Sequence, residues 1–252
     1  MIIAKSLSVR IGDKTLLDDI SLECKAGECT VIVGENGAGK TTLLDALSGV
    51  RESNKSVHLL GRALEDYSNQ ERAKVIASLA QFESGRSALS VKERIAHGLI
   101  PERGHSALYD DKTHARVRAA ASLTGVSPLL ARSLRNLSGG ERRRTDVARV
   151  LIANAQCIVV DEPYARTDIA SRALITRALR QKCDEGVCVI ASVHDLSAAF
   201  TLADAVVGLR KGRVVCRGTP EEVLNRDGLE LIFNKRAQTF ESEFGRAFVF
   251  EP

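Results

Sequence analysis

Gly34-Glu35-Asn36-Gly37-Ala38-Gly39-Lys40-Thr41 is the stretch that decides the fold of this 252-residue chain. It has the spacing GxxxxGK[ST] and is followed directly by Thr42. Its glycines let the backbone curl so that successive N–H groups point at phosphate oxygens. Lys40 is spaced to reach the outer phosphates, and the Thr41 hydroxyl suits a Mg²⁺ ligand. Before the loop, Cys29-Thr30-Val31-Ile32-Val33 reads as a short strand buried on both faces of a parallel sheet. After it, Lys40 to Leu47 has helical spacing, so the helix adds its positive N-terminal dipole to the loop. The glycine order GxxGxG does not match the dinucleotide fingerprint GxGxxG.

Outward from the loop, Ile3 to Ile11 alternates loosely, Gly12-Asp13 turns the chain, and Leu16 to Cys24 runs back. Val91 to Asn154 is rich in Ala, Leu, Arg and Glu and reads as several helices, broken near Pro101 to Gly104 and near Gly125 to Pro128. Cys157-Ile158-Val159-Val160 and Val187 to Val193 are further buried-strand patterns, with a helical stretch from Asp168 to Asp184 between them. Strand, helix, strand argues a parallel sheet with right-handed crossovers. Ala205 to Leu209 and Val214 to Arg217 flank Lys211-Gly212 as a hairpin. The expected fold is α/β: a P-loop nucleotide-binding core with a parallel sheet, an N-terminal antiparallel β subdomain and an inserted helical subdomain. One domain spans 1–252, with 1–81 and 155–225 as the core, 82–154 as the helical subdomain and 226–252 as a C-terminal extension.

Composition narrows the classes. With 44% hydrophobic and 27% charged residues, disorder and collagen-like scaffolds are excluded. No 18-residue apolar window exists, so no membrane-spanning helix is expected, and the first residues lead into a strand pattern rather than a signal peptide. The charge of +4 is spread along the chain and suits a polyphosphate ligand; no nucleic-acid partner is expected. Arg142-Arg143-Arg144 reads as a solvated helix face. The six cysteines form no CxxC pair and read as reduced thiols of a cytosolic protein. His97, His105 and His114 have no metal-ligand spacing. There is no Trp, and five of the seven Phe (Phe233, Phe240, Phe244, Phe248, Phe250) lie in the last twenty residues. Phe248-Val249-Phe250 alternates like a half-buried strand, which fits a structural cap or a partner-binding patch.

Two further motifs carry chemistry. Cys157 to Pro163 is an apolar strand ending in Asp161 and Glu162, which puts two carboxylates at the carboxyl edge of the sheet, where open α/β sheets bind ligands. Asp161 suits the Mg²⁺ shell, and Glu162 suits a general base or orienter for an attacking water. In Leu137-Ser138-Gly139-Gly140-Glu141, Ser138 is a natural N-cap, and the glycines expose the first N–H groups of a second helix.

Taken in order, these motifs resemble the ATP-binding cassette family over nearly the whole chain. Gly34 to Thr41 is similar to the Walker A loop, and Gln81, in Leu79-Ala80-Gln81-Phe82, to the Q-loop glutamine. Leu137 to Glu141 is similar to the signature loop, and Val159 to Glu162 to Walker B with its adjacent glutamate. Asp168 matches the D-loop aspartate, and His194 in Ser192-Val193-His194-Asp195 the switch histidine. The resemblance implies an ATPase using ATP and Mg²⁺. It also implies a head-to-tail homodimer, in which Ser138, Gly139 and Gly140 of one copy face the nucleotide held by Gly34, Glu35, Asn36, Gly37, Ala38, Gly39, Lys40, Thr41 and Thr42 of the other. Glu162, His194 and Gln81 are then catalytic, Thr41, Gln81 and Asp161 serve the metal, and Asp168 adjoins the nucleotide. Two departures stand out. Ile11 occupies the place of the adenine-stacking aromatic, a loss of about 1 kcal/mol if nothing replaces the ring. The D-loop reads Tyr164-Ala165-Arg166-Thr167-Asp168, with Arg166 and Thr167 where small and apolar residues are usual.

Three stretches resemble the ferric-siderophore, haem and cobalamin uptake group: Leu89 to Arg94 with Gly98, Val193 to Leu196, and Gly218 to Leu224. That likeness implies a separate membrane permease receiving power at the surface from Phe82 to Arg94. It further implies a periplasmic or lipoprotein substrate-binding protein as an indirect partner, and a peripheral place on the cytoplasmic face of the inner membrane. An exporter ATPase and a soluble non-transport member remain open alternatives. A binding module without hydrolysis is disfavoured by the presence of Glu162, Gln81 and His194.

Overall fold

The computed structural model describes residues 1–80, 88–105, 110–242 and 245–251. Gln81 and Phe82 to Ser87, and Phe244, lie outside the described residues. In chain order the elements begin with β1 (Ile2–Ile11), β2 (Lys14–Cys24), β3 (Cys29–Val33), α1 (Lys40–Leu47), β4 (Val57–Leu59), β5 (Arg62–Ala63), α2 (Asn69–Val75) and β6 (Ile76–Leu79). The helical region follows with α3 (Val91–Ala96), α4 (Ile100–Arg103), α5 (Asp111–Leu123) and α6 (Gly139–Leu151). Then come β7 (Cys157–Asp161), α7 (Ile169–Asp184), β8 (Cys188–Ser192), α8 (Leu196–Leu202), β9 (Ala205–Arg210) and β10 (Arg213–Gly218). The chain closes with α9 (Pro220–Val223), α10 (Arg226–Phe233), β11 (Ala237–Ser242) and β12 (Gly245–Phe250).

Among the described residues the main sheet runs β10-β9-β3-β8-β7-β6. Strands β9, β3, β8, β7 and β6 are parallel neighbours, and β10 returns antiparallel to β9. Strands β3, β7 and β8 are buried at every position, as their unbroken apolar runs require. Alternate residues feed two layers. Val31, Val33, Val160 and Ala191 pack with Val147, Ile175, Leu179 and Leu202 of α6, α7 and α8. Ile32, Val159 and Ile190 pack with Leu43 and Leu47 of α1 and with Leu7 and Ile20 of the N-terminal sheet, whose order is β2-β1-β4-β5. A third apolar cluster joins Val91, Ile95, Leu99, Val117, Ala121, Ala148 and Ile152 of the helical region. There the Arg94 Nε donates to the Asp146 Oδ1 at 2.7 Å and ties α3 to α6.

The α/β architecture and the antiparallel N-terminal strands agree with the sequence reading. The short strands β4, β5 and β6 were not anticipated. Being two to four residues long and only partly buried, they offer too little pattern to read. Beyond the N-cap read at Ser138, the structure shows several helix starts where Ser or Thr stands three residues before Glu. Capping boxes close at Ser68 and Glu71, Ser90 and Glu93, Ser138 and Glu141, and Thr219 and Glu222.

The reading of Arg142-Arg143-Arg144 as a solvated face is corrected. Arg142 Nη2 donates to the Leu134 carbonyl at 2.7 Å, and Arg144 Nη1 donates to that of Gly125 at 3.1 Å. Arg143 is only 6% exposed. A basic run looks the same in sequence whether it meets water or backbone carbonyls. All six cysteines are free, five of them buried and Cys216 half-buried. Burial first, and the neighbouring Cys188 second, push the Cys24 thiol up to about 12. At the C-terminus, Phe248 and Phe250 pack against the main core, and Phe233 meets Phe250 edge-on at 5.2 Å. The Arg246 guanidinium lies 4.6 Å from the centre of the Phe200 ring on α8. Phe240 and Val249 face outward. One face of this hairpin is therefore a structural cap. No helix among the described residues is long and apolar enough to cross a membrane.

Candidate active site

The site follows from sheet order. Ser192 of β8 stands opposite Ile32 of β3 on one side and Asp161 of β7 on the other. The three strands therefore end at one level, and the chain leaves them for Gly34, His194 and Glu162 at the same edge. A cavity of about 830 Å³ opens there, lined by Asn36, Gly37, Gly39, Lys40, Thr41, Thr42, Glu162 and His194.

The loop after β3 hugs the turn between β9 and β10. A Cβ on Gly34 would lie 2.2 Å from the Leu209 carbonyl oxygen, so only glycine fits there. Ala38 N–H closes a turn on the Glu35 carbonyl at 3.1 Å, and Gly212 N–H donates to the Ala38 carbonyl at 2.9 Å. Gly39, with φ 106°, stands at the N-cap of α1. Lys40 is 7% exposed, and its Nζ donates to the carbonyls of Gly34 at 2.8 Å and Glu35 at 3.0 Å. Burial draws its ammonium below the ordinary lysine range, while Glu162 and Asp161 oppose that shift. Lys40 thus folds back over the loop, a cation beside the N-terminus of α1.

Thr41 and Asp161 make the metal-type corner. Thr41 Oγ1 donates to Asp161 Oδ2 at 2.7 Å, and Ser192 Oγ donates to Asp161 Oδ1. Asp161 is 3% exposed. No group of three or more His, Cys, Asp or Glu converges as a metal cage among the described residues. One hydroxyl and one carboxylate nevertheless fit Mg²⁺, a hard cation that keeps waters and is otherwise held by substrate phosphates. Thr41 would be the direct ligand and Asp161 the partner that orients it. Asp161→Asn is expected to raise the Mg²⁺ concentration for half-maximal ATP turnover by about 10–100-fold, read by metal titration. An unchanged titration would remove Asp161 from this role.

Glu162 and His194 are brought together from 32 positions apart: His194 Nε2 lies 2.5 Å from Glu162 Oε1. Glu162 has φ 50°, a left-handed backbone rare for a non-glycine residue. Its N–H is held by the Ser192 carbonyl at 3.2 Å and by Ser192 Oγ at 3.0 Å. A half-buried carboxylate beside an imidazole, at the open side of a phosphate-type loop, can take a proton from water.

Other predicted residues lie elsewhere. Ser138, Gly139, Gly140 and Asp168 do not line this cavity. Ser138 caps α6: its Oγ accepts from Glu141 N–H at 3.2 Å, and Glu141 Oε2 accepts from Ser138 N–H at 2.7 Å. Asp168 caps α7 by accepting from Ser171 N–H at 2.7 Å, which holds its carboxyl below the usual range. The turn at Arg166 rests on Gly139 and Gly140. A Cβ on Gly140 would lie 2.8 Å from the Arg166 carbonyl oxygen, and Arg166 has φ 62°. Ile11 is 54% exposed and is not among the residues that line the cavity. Its strand partner across the turn, Lys14, does line it, together with Thr15, Leu16, Lys211 and Gly212. These were missed because nothing local marks them: Lys211-Gly212 reads only as a turn until the β9–β10 turn is seen against Ala38.

The chain matches known proteins along most of its length. The sequence profile of the family described as ABC transporter covers residues 17–165, more than half of the chain. The hemin import ATP-binding protein HmuV of Streptomyces coelicolor is 36% identical over 238 residues, 94% of this chain and 84% of that protein. The iron(3+)-hydroxamate import ATP-binding protein FhuC of Bacillus subtilis is 29% identical over 236 residues, 93% of this chain and 88% of that protein. A solved nucleotide-free ATP-binding cassette from an ABC transporter superposes with a TM-score of 0.80 at 20% identity, covering 92% of this chain and 98% of that one. The chain therefore belongs to the ABC transporter family.

Proposed function

We propose that the chain is the ATP-hydrolysing subunit of an importer for haem or another iron chelate, acting as a head-to-tail pair of copies on a separate permease. The observation that carries this is that only one of its two phosphate-seeking loops lines the cavity. Ser138 to Gly140 start α6 outside it, and a second copy would bring that loop to the nucleotide. The relatives' names, hemin import and iron(3+)-hydroxamate import ATP-binding protein, support the cargo class. They favour import over the exporter and non-transport readings.

In this reading the loop N–H groups and Lys40 bind the phosphates, and Glu162 accepts a proton from the attacking water. His194 holds the Glu162 carboxylate in place. Thr41, with Asp161 behind it, would hold Mg²⁺, which would supply charge that neutralises the phosphates. Gln81 is assigned to the metal and to coupling by resemblance alone. Residues 82–154 serve as the subdomain that meets the permease, which sets the subunit peripherally on the cytoplasmic face of the inner membrane. A periplasmic or lipoprotein binding protein would deliver the cargo from the other side. The test is co-expression with any multi-span membrane protein encoded beside it, then reconstitution into vesicles. Co-purification, ATP turnover stimulated by the membrane subunit, and ATP-dependent uptake of haem or ferric hydroxamate are expected. Failure to co-purify with any membrane subunit would sink the transport assignment.

A further inference from the structure

Arg143 sits in α6, five residues after the helix-capping Ser138, yet its side chain leaves the helical region and ends at the catalytic edge of the sheet. Its Nη1 donates to the Ala80 carbonyl at 3.0 Å. Its Nε and Nη2 donate to the Glu162 carbonyl at 3.1 and 2.9 Å, and Nη2 also donates to the Asp161 carbonyl. Ala80 directly follows β6, and Asp161 ends β7. One guanidinium thus gathers the carbonyls at the ends of two neighbouring parallel strands, where the chain departs toward Gln81 and through Glu162.

These carbonyls lie where regular sheet pairing stops, so they need a donor from outside the sheet. Arginine suits the task because its planar fork offers five donors at fixed angles. Its buried charge is offset by those dipoles and by nearby Asp146, Asp161 and Glu162. The consequence falls on Glu162. Its left-handed backbone persists only if its surroundings hold it. Ser192 holds the N–H side and Arg143 holds the carbonyl side. With both flanking peptides pinned, the side chain is aimed at His194.

We infer that Arg143 is a positioning residue for ATP hydrolysis, holding Glu162 in its strained conformation from α6. A displacement of α6 against the sheet then changes the aim of Glu162. This rests on the reading of Glu162 as the proton acceptor.

The test compares steady-state MgATP turnover of the full chain with that of Glu162→Gln, Arg143→Lys, Arg143→Gln and the double variant Glu162→Gln/Arg143→Lys. Both Arg143 variants are expected to lower kcat at least about tenfold while KM for ATP stays within about twofold. Lysine should not rescue, since a single ammonium cannot span the three carbonyls. In the Glu162→Gln background, Arg143→Lys should change the residual turnover by less than about twofold, because no carboxylate is left to aim. A KM that rises as kcat falls, or losses that multiply in the double variant, would overturn the inference. If Arg143→Lys does not bind ATP, Arg143→Gln, which buries no charge, carries the same comparison. Loss of ATP binding in both variants assigns Arg143 to folding and overturns the inference. Wild-type kcat in both, with turnover lost in Glu162→Gln, overturns the inference alone. Full turnover in Glu162→Gln overturns the reading of Glu162 and this inference together.

Discussion

Glu162→Gln is expected to lower ATP turnover by about 10²–10⁴-fold while leaving ATP affinity nearly unchanged. Gln has the shape of Glu and can still accept a hydrogen bond from His194 through its amide oxygen, but it cannot take a proton from water at neutral pH. Lys40 Nζ donates to the carbonyls of Gly34 and Glu35, and these contacts do not depend on the Glu162 carboxylate. Binding should therefore survive, and ATP should accumulate unhydrolysed between two copies. Turnover by phosphate release, affinity by calorimetry with MgATP, and mass by light scattering check the three parts. Turnover at the wild-type rate would remove Glu162 from the chemistry. Retained monomers in saturating MgATP would count against the head-to-tail pair.

Lys40→Ala is expected to weaken ATP binding by about tenfold to a hundredfold, from the loss of a charge-assisted hydrogen bond of about 1.5–3 kcal/mol. Lys40 is 7% exposed, so its charge acts in a poorly screened setting. Its two carbonyl contacts also brace the loop in the curled form. Removing them loosens the loop before any ligand arrives, which adds to the loss. Equal MgATP affinities for Lys40→Ala and the unaltered chain would sink this role for the lysine. Thermal melting without nucleotide should move little, because the lost contacts lie at the rim of the core.

Much of this protein was legible in sequence, for a physical reason that varies with the feature. Gly34 to Thr41 was readable because a curled, glycine-rich backbone and one lysine are specified within eight residues. The strands Cys29–Val33, Cys157–Asp161 and Cys188–Ser192 were readable because burial on both faces demands unbroken apolar runs. The helix start at Ser138 was readable because Ser138 is a natural N-cap, and its capping box closes over three residues. The short strands β4, β5 and β6 and the Lys14 and Lys211 walls of the cavity were not readable. Their roles depend on neighbours distant in the chain.

The sequence by itself determined the phosphate loop, the two acids at and just beyond the end of β7, and the α/β plan, since each follows from local backbone chemistry and apolar period. Only the tertiary structure decided how they combine. The sheet order puts β8 between β3 and β7, and this alone sets His194 2.5 Å from Glu162 across 32 residues. It also decided that Ile11 stands away from the cavity lining and that Arg143 is buried. No local rule fixes either, because exposure and carbonyl contact are settled by which segments pack together. A run of three arginines has one pattern in sequence and several destinations in space.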